Sequence, residues 1–158
     1  MRHITLKDGA TIPVIGQGTW SIGDDPARRA EEIAALRLGI DLGMTLIDTA
    51  EMYGSGAAEE VVGEAIRGRR DQVFLVTKVL PQNASRRQIP KSIDASLKRL
   101  GTDYVDLYLL HWESEHPIGE TIDAFVKLKD QGKIRRYGVS NFDARALAAG
   151  IACPGGEA

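Results

Sequence analysis

Short apolar runs recur along this chain at intervals of about thirty residues, close to the length of one strand–helix unit. They are "VIGQGTW", "MTLID", "VFLVTKV", "YVDLYLLHW" and "IRRYGVSN". The stretches between them carry apolar residues at helical spacing. In the first, Asp25 and Pro26 read as cap and first helical position, Ile33, Leu36 and Ile40 share a face, and Gly43 ends the helix. "AAEEVVGEAIRG" is the second. Ile89, Ile93, Leu97 and Leu100 mark the third, stopped by Gly101. Pro117 opens the fourth, whose stripe of Ile118, Ile122, Phe125 and Leu128 closes at Gly132, and a fifth begins at Asp143. Runs apolar on both faces and joined by helices imply a parallel sheet. Doubly wound sheets and (β/α) barrels both satisfy that pattern. The beginning of the chain separates them. "ITLKDGATIPVI" reads as a hairpin around Asp8–Gly9, which would close the bottom of a barrel and has no obvious place in a doubly wound sheet.

Composition narrows the function classes. With 158 residues, 43% of them hydrophobic and 27% charged, the chain can bury a real core. A net charge of −2 gives no long-range pull towards nucleic acid. The single cysteine, Cys153, excludes an internal disulfide framework, fits a reducing compartment and reads as an incidental loop thiol. "MRHITLKDG" lacks the apolar core of a signal peptide, and no apolar stretch approaches the ~18 residues of a membrane span. A cytoplasmic protein with no nucleic-acid, membrane or metal partner is expected.

In parallel α/β folds, chemistry gathers at the carboxyl ends of the strands. Those ends carry Gly18-Thr19-Trp20, then Asp48 with Tyr53 beyond it, then Lys78, His111-Trp112 and Ser140-Asn141. Taken singly, Asp48 reads as a turn or cap residue, Tyr53 as a loop aromatic and His111 as a core histidine. Lys78 resists such a reading, because a cation inside a buried run needs a partner, and Asp48 is the natural one. Together the four suit proton donation to a carbonyl oxygen. A free tyrosine, with a pKa near ~10, is an inefficient acid at neutral pH. An ammonium beside it stabilises the phenolate, and a carboxylate holds that ammonium charged. Tyr53 would be the general acid, Lys78 its tuner, Asp48 the anchor and His111 the group that orients the carbonyl.

The stretches "GMTLIDTAEMYGSGAAEEVVGEAI", "FLVTKV", "SLKRLGTDYVDLYLLHW" and "QGKIRRYGVSNF" resemble the aldo-keto reductase family, in order and in spacing, from about Ile4 to Phe142. Its Asp, Tyr, Lys and His tetrad falls on Asp48, Tyr53, Lys78 and His111. Among its members the chain looks most like bacterial methylglyoxal or general aldehyde reductases. The resemblance implies an α/β fold, the (β/α)₈ TIM barrel, and use of NADPH without a Rossmann fold. It implies hydride transfer to a small-molecule aldehyde or ketone as Tyr53 donates the proton. Gly18, Thr19, Trp20 and Asp48 would line the nicotinamide side, Ser140 and Asn141 would hold the carboxamide, and Trp20 and Trp112 would line the substrate pocket. "GQG" at Gly16 to Gly18 is no dinucleotide fingerprint, since Ser21 stands where a third glycine belongs. A Rossmann dehydrogenase is thereby set aside.

The family pattern has eight strand–helix units, and residues 1–158 supply about five. The glutamine that contacts the nicotinamide, the aromatic that stacks on it and the basic loop that grips the 2′-phosphate have no counterpart here. "ALAAGIACPGGEA" stands where the connection to a sixth strand should run. The reading is therefore a partial barrel domain over 1–158, from an NADPH-dependent carbonyl reductase. The alternative is a non-catalytic half-barrel that self-associates or binds a partner. Alone, residues 1–158 are expected to pair their open sheet edges or to be unstable, and to bind NADPH very weakly.

Overall fold

The computed structural model describes residues 1–157. An antiparallel hairpin comes first, β1 (His3–Thr5) with β2 (Thr11–Pro13), and its turn passes through Gly9 at φ 86°. Five parallel strands follow in one sheet, β3 (Gln17–Gly18), β4 (Leu46–Asp48), β5 (Phe74–Val79), β6 (Leu107–Leu110) and β7 (Tyr137–Val139). Their order in the sheet is their order in the chain. Helices α1 (Arg29–Asp41), α2 (Ala57–Ala65), α3 (Ile89–Leu100) and α4 (Ile118–Asp130) connect consecutive strands, and α5 (Ala144–Ile151) follows the last. This is the opening part of a (β/α) barrel, as the resemblance implies.

Strand register separates two faces, because Cα partners in a parallel ladder lie on the same side. On the helix-covered face, Ile47 pairs Leu75 and Thr77 pairs Tyr108, all with no exposure. Ile33, Leu36, Val62, Ile93, Leu97, Phe125 and Leu128 pack against that layer. The other face is concave and carries Leu46 beside Phe74 and Lys78 beside Leu109, then Gly138. There the apolar members are only half-buried. The two edges of the sheet are β3 and β7.

The hairpin lies across the amino ends of the strands. Asp8 pairs with Arg136 at 2.5 Å, one residue before β7, and the Arg136 guanidinium sits over the Phe74 ring that begins β5. This is the plugging role expected of it.

Several boundaries differ from the sequence reading, each for a local reason. "VIGQGTW" yields a strand of two residues, since Val14 and Ile15 are exposed and no later strand flanks them. Asp25 does cap with Pro26 next, but the turn they open is 3₁₀ and passes into α1 only at Arg29. Pro117 stands at the cap of α4 with extended ψ of 127°, not at its first helical position. Asp143 caps α5 as expected, accepting from the Ala146 N–H at 2.7 Å. No described helix is long and apolar enough to cross a membrane.

Candidate active site

Every residue singled out at the strand ends sits at the carboxyl edge of the sheet. Gly18 ends β3, Asp48 ends β4, Lys78 is the penultimate residue of β5, His111 follows β6 and Ser140 follows β7. Beyond Asp48 the ladder continues, with the Thr49 N–H donating to Val76 O and the Glu51 N–H to Lys78 O. That pairing carries the chain across the mouth of β5. Gly54, Ser55 and Gly56 then take φ of 55°, 54° and 99°, a left-handed run that reverses the chain within one turn. Tyr53, just ahead of this reversal, stays at the mouth, and the reversal leads the chain into α2.

The Lys78 side chain is 7% exposed and all its ammonium hydrogens are engaged. Its Nζ lies 2.7 Å from an Asp48 carboxylate oxygen, 3.0 Å from Thr49 O and 3.3 Å from the Tyr53 hydroxyl. The ammonium also lies 5.0 Å from the centre of the Tyr53 ring. Asp48, Tyr53 and Lys78 thus form one hydrogen-bonded group, and the His111 ring stands 5.8 Å from that of Tyr53, edge to face. The predicted tetrad meets in one cleft.

His111 is 3% exposed, and its Nδ1 is enclosed without a hydrogen-bond partner. Burial, assisted by the Lys78 ammonium, lowers its pKa to about 4. The imidazole is therefore neutral near pH 7. Trp112 stacks flat on it, centroids 3.8 Å apart.

Thr19 is fully buried, and both its N–H and its hydroxyl donate to Asp48 O at 3.0 Å. Its side chain thus secures β4. Trp20 is 70% exposed, with its ring 5.6 Å from that of Tyr53, and forms one wall of the mouth. A Cβ at Gly18 would meet nothing within 4 Å, so the space beside Asp48 is open. Asn141, at φ 58°, donates from Nδ2 to His111 O and to the Ser140 hydroxyl oxygen. Ser140 keeps its own hydrogen, and Asn141 keeps its carbonyl oxygen. One free donor thus stands beside one free acceptor. Among the described residues, no group of three His, Cys, Asp or Glu side chains is placed to hold a metal.

Three contributors escaped the sequence reading. The Thr49 carbonyl is a backbone atom and carries no residue signal. Glu51 accepts from the Leu80 N–H at 2.7 Å and from Asn83 Nδ2 at 2.9 Å, tying the loop after β4 to the loop after β5. Glu59, completely enclosed, bonds Thr77 and Arg99 behind the site. A signal for Glu59 existed, since it lies one helical turn from Val62 on the apolar stripe of α2.

The sequence profile of the aldo/keto reductase family matches residues 14–149. The chain is 53% identical, over 99% of its length, to a methylglyoxal reductase, YeaE, of Escherichia coli, covering 55% of that protein. It is 45% identical to the aldo-keto reductase YhdN of Bacillus subtilis, over 90% of this chain and 47% of that one. A crystal structure of an aldo/keto reductase from Klebsiella pneumoniae, in complex with NADP and acetate, superposes with a TM-score of 0.93. That pair is 53% identical, over 95% of this chain and 53% of the other. The chain spans about half the length of the curated relatives it matches.

Proposed function

The chain belongs to the aldo/keto reductase family, and on that premise we propose that it serves the NADPH-dependent reduction of aldehydes and ketones to alcohols, with Tyr53 as the proton donor. The observation that carries the reading is the saturated Lys78 ammonium. Its hydrogens go to Asp48, Thr49 O and the Tyr53 oxygen. The phenolic oxygen accepts on that side, so its own hydrogen is directed elsewhere and is available to a bound carbonyl.

Bound NADPH would supply a hydride to the carbonyl carbon. The chain's own residues account for the proton. As the carbonyl oxygen gains negative charge, the Tyr53 hydroxyl gives up its hydrogen to it and retains the electron pair of the O–H bond. The resulting phenolate faces the Lys78 ammonium at hydrogen-bond distance, and Asp48 holds that ammonium in place. His111 is neutral near pH 7, so it offers one N–H. Its enclosed Nδ1 lacks an acceptor, and an orphaned buried donor is rarer than an orphaned acceptor. The hydrogen therefore belongs on Nε2, which can donate to the carbonyl and fix its direction. Ser140 and Asn141 would take the carboxamide, Gly18 and Asp48 the open space beside the nicotinamide, and Trp20 with Trp112 the substrate. Small aldehydes of the methylglyoxal kind are the first substrates to try, given the name of the E. coli relative.

The domain assignment belongs to this proposal: residues 1–158 read as the first five units of a barrel. A second reading, a half-barrel that self-associates, is favoured by the two open edges at β3 and β7. NADPH consumption with methylglyoxal, measured for a full-length form with all eight strand–helix units and for its Tyr53→Phe variant, tests the leading reading. The variant should lose most of its turnover while its NADPH affinity, read by fluorescence titration, stays nearly unchanged. Equal loss of binding would make the tyrosine structural.

A further inference from the structure

Directly behind the site lies a charged cluster that this chemistry does not use. Glu59 in α2 has no exposure at all. One of its oxygens accepts from the Thr77 hydroxyl at 2.6 Å, the other from Arg99 Nε at 2.6 Å. A buried pair of this kind contributes little to stability relative to apolar residues of the same volume. Its placement is more informative. Thr77 is the neighbour of Lys78 in β5. The Arg99 side chain lies against Gly56, with Cδ 2.7 Å from where a Cβ would sit, and Gly56 closes the left-handed run Gly54–Gly56 that directly follows Tyr53. One end of the cluster thus holds the strand of Lys78, the other lies against the turn that follows Tyr53, and Glu59 joins them.

We propose that Glu59 is a positioning residue for the carbonyl reduction, fixing the Tyr53 hydroxyl against the Lys78 ammonium through Thr77 and Arg99. Glu59 touches neither of the two groups it aligns. The proposal rests on the reading of Tyr53 as proton donor, and its test separates the two.

Two variants of a full-length form suffice. Thr77→Val keeps the side-chain shape and removes only the hydroxyl. Glu59→Leu combined with Arg99→Met removes both charges and fills their space with apolar atoms, an exchange that buried pairs commonly tolerate. Tyrosine labelled with ¹³C at Cζ reports the ring environment by NMR, and the Tyr53 signal is assigned by its loss in Tyr53→Phe. Both variants should melt cooperatively near the parent temperature with the Tyr53 signal shifted or broadened. Aldehyde turnover should fall on the order of ten- to a hundredfold, as sub-ångström to ångström misplacement does, with KM little changed. An unmoved Tyr53 signal in two folded variants would overturn the proposal. So would loss of cooperative melting in both, which would leave Glu59 a structural residue only. A full-length parent with all eight strand–helix units but no aldehyde turnover would remove the reading of Tyr53 as acid, while the NMR signal would still decide the positioning.

Discussion

Lys78 is the residue on which the site turns, because three acceptors converge on one side chain in the interior. Lys78→Met keeps the apolar stem and removes the charge. It should abolish turnover and also lower stability, since Asp48 then loses the cation that compensates its carboxylate. A melting curve beside a rate measurement checks both, and a fully active variant would contradict the mechanism. His111 gives a pH dependence whose sign can be worked out. Its folded pKa of about 4 lies below the ordinary value near ~6.5. The unfolded chain therefore binds the proton more readily across that interval. Stability from this group is complete above pH ~6.5 and declines as pH falls towards about 4. Urea midpoints measured between pH 7 and pH 4 should fall less steeply in His111→Gln than in the parent. The tetrad was legible in the sequence because Asp48 ends an apolar run, Lys78 stands inside one and Tyr53 and His111 follow one, where a polar side chain is conspicuous. The Thr49 carbonyl was not legible, since any residue supplies one. The enclosed carboxylate of Glu59 was overlooked among three other charges of "AAEEVVGEAIRG", although its place on the stripe with Val62 set it apart.

Helices and strands were legible unequally. Caps read well, because Asp25 and Asp143 signal through their own side chains, and the structure puts both at N-caps. Strand lengths read poorly, because a strand extends only where a neighbour pairs it; β3 has one neighbour and two residues. The close approach of α2 and α3 was invisible until Gly63 was placed. A Cβ there would lie 2.6 Å from Arg99 O and 2.7 Å from Leu100 O, both backbone atoms that cannot turn aside. Gly63→Ala should push the helices apart and cost on the order of 1–3 kcal/mol. Thermal denaturation reads this directly, and an unchanged melting temperature would show that α3 yields freely.

At the scale of the whole molecule, the sheet has two unpaired edges and a concave face with half-buried Leu46, Phe74, Leu107 and Leu109. Edge N–H and C=O groups seek partners. A polypeptide of residues 1–158 taken alone should therefore associate as its concentration rises, with an apparent mass by light scattering that climbs through the micromolar range. A monodisperse monomer that binds NADPH tightly would overturn the partial-barrel reading. The sheet has one further property, which bears on time. Because strand order follows chain order, every strand finds its partner one unit earlier in the sequence, and each helix packs against the neighbour it follows. No pairing waits for a distant segment. Such a chain can fold vectorially, each unit docking on the last as it leaves the ribosome, and only the N-terminal hairpin's contact through Asp8 waits for a late residue, Arg136, just ahead of β7.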